Sequence, residues 1–168
     1  YTTGRDAEQL ITRPKDILDS ALPSANSVAA LSLLRLGALT GEGSYNEKAE
    51  AILRLLADPM GRQPSAFAHM LEAVDLSTSG TTEVVITGDR TDLVGAVHER
   101  YLPNAVLAWG ERYESPLFAD RNDGLAYVCC NYACNLPVDD LFGLVSQLGV
   151  STAPTAPASP ATAVDDSV

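Results

Sequence analysis

The hydrophobic period of this chain changes once, near residue 77, and that change limits the folds open to it. Before it, apolar residues recur at helical spacing. Val28, Leu31, Leu33, Leu34, Leu36 and Leu39 cover nearly the whole circumference of one segment, which predicts a helix buried on most sides. Ser24, Asn26 and Ser27 are candidate N-caps, and Gly41 and Gly43 end the helix. A second helix is expected from Ser44 to Ala57, with Tyr45, Ala49, Ile52 and Leu56 inward and Glu47, Lys48, Glu50 and Arg54 outward. The two form an antiparallel hairpin. A third helix starts at Pro64, a favourable first-turn residue, with Phe67, Met70, Leu71 and Val74 as its stripe.

After the change, Val84 to Ile86 is a short apolar run closed by Gly88, the pattern of a buried strand. A helix is expected from Asp92 to Tyr101 with Leu93, Val94, Val97 and Tyr101 inward, stopped by Pro103, and then a strand from Ala105 to Trp109. Strand, helix and strand in so short a span predict one right-handed βαβ unit. Residues 111–123 read as loop, Leu125 to Cys129 as a third strand, and Pro137 as the start of a last helix carrying Val138, Leu141, Phe142, Val145 and Leu148 on one face. The fold class is therefore mixed α/β. A helical segment over 1–76 precedes a small, three-stranded, mostly parallel sheet with flanking helices over 77–150. The Ser, Thr, Ala and Pro of 151–168 predict a disordered tail, because they bury too little apolar surface to offset chain entropy.

A net charge of −11 argues against nucleic acid and anionic membrane as partners, since phosphates are held by Lys and Arg. No apolar run is long enough to cross a bilayer, and no signal peptide opens the sequence, which begins at Tyr1. The opening residues resemble mid-protein sequence, so a piece of a longer protein is expected. Three cysteines, Cys129, Cys130 and Cys134, form one cluster; an odd count in one place is unlike a secreted disulfide framework and favours a reducing, cytoplasmic setting. Scarce lysine (Lys15 and Lys48) beside plentiful arginine and alanine suggests a GC-rich bacterial source.

Few residues carry chemistry on their own. Cys129 ends a predicted strand, and Cys134 precedes a predicted helix start, where the helix dipole lowers a thiol pKa. The pair is either a thiol redox or metal site or a set of small buried apolar residues, and its spacing is not C-x-x-C. His69 and His98 read as partly exposed helix residues, placed for no zinc site, and no metal or cofactor is expected. There is no G-x-S-x-G elbow, and Gly88-Asp89-Arg90-Thr91-Asp92 is neither a dinucleotide nor a Walker-type loop. Arg13, Lys15, Asp19, Ser24 and Asn26 gather cations, an acid and polar donors just before the buried helix. They either line a cavity or form a salt-bridged entry loop with ordinary caps.

Several segments together resemble a known family. Arg13-Pro14-Lys15-Asp16, Asp19, and Pro23 to Ala30 resemble a stretch of the YyaL-type, spermatogenesis-associated, thioredoxin-domain-containing proteins. Glu83 to Gly88, Leu102-Pro103-Asn104, and Ala126 to Cys129 with Asn131, Cys134 and Pro137 resemble its later segments; Ala25 stands where glycine is expected, and Cys130 falls outside the pattern. The resemblance implies a longer parent with a thioredoxin-like domain and an (α/α)₆ toroid similar to N-acylglucosamine 2-epimerases. This chain would be its last toroid helices and C-terminal α/β segment, non-catalytic alone, with the rest of the parent as partner. The parent would be carbohydrate-modifying or redox-related. The alternatives are a redox or metal site at Cys129 and Cys134, and an interaction module prone to self-association.

Overall fold

The computed structural model describes Asp6 and residues 17–149. The expectations for Arg13, Lys15 and the tail lie outside the described residues. Helix α1 spans Ala25–Thr40, with Ser24 as N-cap: its side-chain oxygen accepts from the Ser27 N–H at 3.2 Å. Ala30, Leu31 and Leu34 of α1 pack against Ala49 and Leu56 of α2 (Gly43–Arg62) and Met70, Ala73 and Leu76 of α3 (Ala68–Ser79). The burial of α1 is narrower than its composition predicts. Val28 and Leu36 remain 44% and 41% exposed, because α2 and α3 cover only one side.

Helix α2 extends past the expected end at Ala57 and contains Pro59. A proline so near a C-terminus removes little of the helical ladder, and Leu56 and Met60 on either side of it pack into the helical core. The third helix opens as a 3₁₀ turn over Pro64–Phe67 before α3 begins.

Helix α1 ends at Gly41 in the left-handed conformation (φ 75°), its N–H donating to the Gly37 carbonyl at 2.8 Å. A Cβ at Gly41 would stand 2.6 Å from Cγ of Pro116. Gly41→Ala is therefore expected to cost about 2 kcal/mol, through the left-handed penalty and the clash together. A urea melt checks this; an unchanged midpoint would contradict it.

Residues 82–134 form a four-stranded mixed sheet in the order β2-β1-β3-β4. Strands β1 (Thr82–Ile86) and β2 (Ala105–Ala108) are parallel, joined by α4 (Thr91–His98), as the βαβ pattern predicts. Helix α4 ends at His98, so Tyr101 lies beyond its last turn and is 91% exposed, not inward. Strand β3 (Ala126–Cys130) corrects the expected mostly parallel sheet: it runs antiparallel to β1, with Ile86 opposite Ala126. A parallel return needs a crossover that carries the chain back along the sheet. The link from β2 to β3 contains only the 3₁₀ turn Pro116–Phe118, so the chain re-enters at the end where it left. The fourth strand is Ala133–Cys134, paired with β3.

One face of the sheet (Val84, Ile86, Ala126, Val128) packs on α4 and on α5 (Leu141–Gly149). The other (Val85, Ala108, Tyr127, Cys129) packs on Leu117, Phe118 and Leu39 of α1. Helix α5 begins later than Pro137 because Val138 is still bridged to Ala126; Asp140 then caps it, accepting from the Gly143 N–H at 2.7 Å. Among the described residues no helix is long and apolar enough to cross a membrane.

Candidate functional site

Cys129 and Cys134 occupy directly opposed positions on β3 and β4 and form a disulfide. They are joined by a two-residue turn, Asn131-Tyr132, in which both residues have positive φ (49° and 64°). This matches the twist of a tight hairpin. Asparagine tolerates that conformation; tyrosine does so only when held. Tyr132 is held at both ends. Its N–H donates to Oε2 of Glu83 at 3.1 Å, and its hydroxyl reaches the carbonyls of Gly37 and Ala38 at 2.9 and 3.0 Å. Burial, and then the Glu83 charge, push the Tyr132 hydroxyl pKa up, which keeps it a donor. The hairpin is thus pinned to the C-terminal carbonyls of α1.

The two sulfurs differ in surroundings. Cys129 is buried in the sheet face at 2% exposure, whereas Cys134 is exposed. Arg121, from the loop between β2 and β3, places Nη2 2.9 Å from Sγ of Cys134 and 3.7 Å from Sγ of Cys129. Its Nε donates to the Leu117 carbonyl at 3.2 Å, and its guanidinium lies 4.4 Å from the centre of the Tyr127 ring. A guanidinium at that distance stabilises negative charge on a departing or attacking sulfur. Cys130, next in sequence, is a free thiol.

Glu83 is 1% exposed and faces Cys129 across the β1–β3 pair. Burial pushes its carboxyl pKa above 4.5, against the opposing effect of the Tyr132 N–H. It borders a cleft of about 160 Å³ between α1, α2, α3 and the hairpin, whose other polar walls include Asn46, Glu50, Ser77 and Thr81.

The predicted polar cluster is elsewhere. Asp19 accepts from the Ser24 N–H at 2.7 Å and from the His69 and Met70 N–H groups at 2.9 and 3.1 Å. The Ser24 and Ser27 hydroxyls are 2.8 Å apart. Burial opposes ionisation of Asp19, but hydrogen bonds from Ser24, Ser27, Met70 and His69 outweigh it, and its pKa falls below 3.8. Asn26 is half-buried on α1. Asp19 and Ser24 are thus brought together at two helix starts. The His69 ring stands 3.3 Å from Glu72, and His98 is exposed. Among the described residues no three His, Cys, Asp or Glu side chains gather as a metal would require.

Both cysteines were visible as candidates in the sequence. Glu83, Arg121 and Tyr132 were not. Glu83 had one signal, a charge heading an apolar strand.

No family model matches the chain, and no solved structure does. Human spermatogenesis-associated protein 20 is 35% identical over 144 residues, which cover 76% of this chain and 18% of that protein. The mouse protein of the same name is 31% identical over the same shares. The homologues of this chain are spermatogenesis-associated proteins. An uncharacterized protein of Caenorhabditis elegans is 25% identical over 151 residues, covering 82% of this chain and 21% of that one. The chain thus spans about a fifth of the length of these relatives. The expectation of a bacterial source is corrected by them: they are animal proteins, and an arginine-for-lysine bias carries no physical information on source.

Proposed function

We propose that Cys129 and Cys134 form a thiol–disulfide exchange site, cycled between disulfide and dithiol by thiol-bearing partners. The observation that carries this reading is the pairing of an exposed, guanidinium-contacted sulfur at Cys134 with a buried one at Cys129. Exchange is in-line attack of a thiolate on one sulfur with loss of the other. An incoming thiolate reaches Cys134, so a bond forms between it and Sγ of Cys134, and the Cys129–Cys134 bond breaks with its electron pair on Cys129. A second thiol attacks the mixed disulfide at the partner's sulfur and releases Cys134 as a thiolate beside Arg121. The balance is one protein disulfide and two thiols giving one protein dithiol and one external disulfide. The metal alternative lacks a third ligand near the pair among the described residues.

The test is a redox titration of the folded chain in mixtures of reduced and oxidised glutathione, quenched by an alkylating agent and read by mass. Alkylation is expected to rise from Cys130 alone to all of Cys129, Cys130 and Cys134, with circular dichroism still that of a folded chain. A pair that resists excess thiol until the chain is denatured would overturn the reading.

A further inference from the structure

We infer that Glu83 donates the proton that Cys129 takes up when the disulfide opens, so that the buried sulfur leaves as a neutral thiol. This rests on the exchange reading above and names a residue that reading does not use. Glu83 and Cys129 are directly opposed in the antiparallel β1–β3 pair, and both side chains lie on the face that carries Val85 and Tyr127. Directly opposed residues have Cβ atoms about 4.5–5.5 Å apart, within reach of a glutamate arm. Both are nearly excluded from solvent, at 1% and 2% exposure.

A thiolate released at Cys129 would be a buried charge, and a carboxylate at Glu83 would be a second one of the same sign beside it. Two such anions do not coexist at that distance in a poorly solvated site; one of them keeps a proton. The groups that face Glu83 do not relieve this. The hairpin offers the Tyr132 N–H and, further along, the Tyr132 hydroxyl. Helix α2 offers Glu50 and the neutral Asn46 across the cleft. Helix α1 offers the carbonyls of Gly37 and Ala38, already taken by Tyr132. Arg121 is on the sulfurs, closer to Cys134 than to Cys129. No ion pair among the described residues involves Glu83. Burial holds its carboxyl toward the protonated form, as the donor role requires.

The step balances. A thiolate, the disulfide and the Glu83 carboxylic acid give the mixed disulfide on Cys134, a Cys129 thiol and the Glu83 carboxylate. The charge brought by the attacking sulfur ends on Glu83. The cleft beside it, with its polar walls, admits the water that returns the proton.

The experiment is the rate of reduction of the full chain by glutathione, divided by glutathione thiolate concentration, across the pH range in which Glu83 ionises. In the native chain this corrected rate is expected to fall about tenfold as Glu83 ionises. The fall should coincide with the titration of Glu83 followed by its carboxyl ¹³C shift in the oxidised chain. Glu83→Gln keeps the volume and an oxygen for the Tyr132 N–H, and is expected to give a flat profile at the lower level. A flat native profile, a break that does not track Glu83, or a Glu83→Gln profile like the native one overturns the inference and leaves the exchange reading standing. The native measurements decide even if the variant does not fold. Failure of the native chain to be reduced at all is the distinct result that removes the exchange reading, and this inference with it.

Discussion

Replacing Asp19 by alanine is expected to cost the chain about 3 kcal/mol of folding stability, an effect at the upper end for a single residue outside the core. Asp19 is one carboxylate serving two helix starts. One oxygen accepts from the N–H of Ser24, the N-cap of α1; the other accepts from His69 and Met70 in the first turn of α3. These N–H groups have no partner within their own helices. The two helix dipoles converge on the same negative charge and favour it further. The contacts also close long sequence separations, 50 residues to His69 and 51 to Met70, so the loss falls on the docking of α1 against α3 and not on one cap alone. Asp19→Asn keeps one good acceptor and should lose about half as much. Chemical denaturation of the three chains measures the series; equal stabilities would remove the double-cap account.

The same carboxylate gives an acid limb to stability. Its folded pKa lies below the ordinary 3.8, so the unfolded chain binds more protons in that range, and stability rises with pH there. The contribution is complete above the unfolded value and disappears as pH falls through the folded one. Asp19→Ala lacks the contribution, so its stability should change less than the native chain's as pH is lowered below 3.8.

The parts of this fold legible in the sequence are those decided within one segment. The presence of α1, the βαβ unit and the apolar run of β1 follow from local periodicity, and the structure places them where the pattern does, while leaving Val28 and Leu36 of α1 exposed. The direction of β3 did not follow, because a strand's own residues are the same whichever way it is read. Only the lack of a crossover helix between Ala108 and Ala126 decides it. Strand β4 is Ala133-Cys134, too short to show a period, and exists because a two-residue turn folds it back. Asn131 signals positive φ, but Tyr132 does not; it is tolerated there through bonds to Glu83 and α1, which are distant in sequence. The cysteines were visible as a candidate pair, but not as opposed residues of a hairpin. Their spacing fits no short motif, and the hairpin register brings them face to face. The Asp19 cluster was visible as polar residues near a helix start, but its tie to α3 needs the tertiary fold.

Arg121 is where the candidate site depends most on a residue without local signal, and its removal is expected to slow alkylation of Cys134 in the reduced chain about tenfold at neutral pH. The thiolate is the reactive form, and a guanidinium at 2.9 Å from that sulfur favours it. With Arg121→Gln, the pH at which Cys134 becomes reactive should move up. Arg121→Lys keeps the charge but not the planar fork that also serves Leu117 and the Tyr127 ring, and should fall between the two. The measurement is the pH dependence of alkylation in a Cys130→Ala background, with Cys129 distinguished by peptide mass. A purely structural Arg121 would alter the melt and leave that profile where it was. Because Cys134 is exposed, added salt should shrink the native advantage while hardly changing the Arg121→Gln chain. A salt-independent difference would assign the effect to hairpin geometry instead of charge.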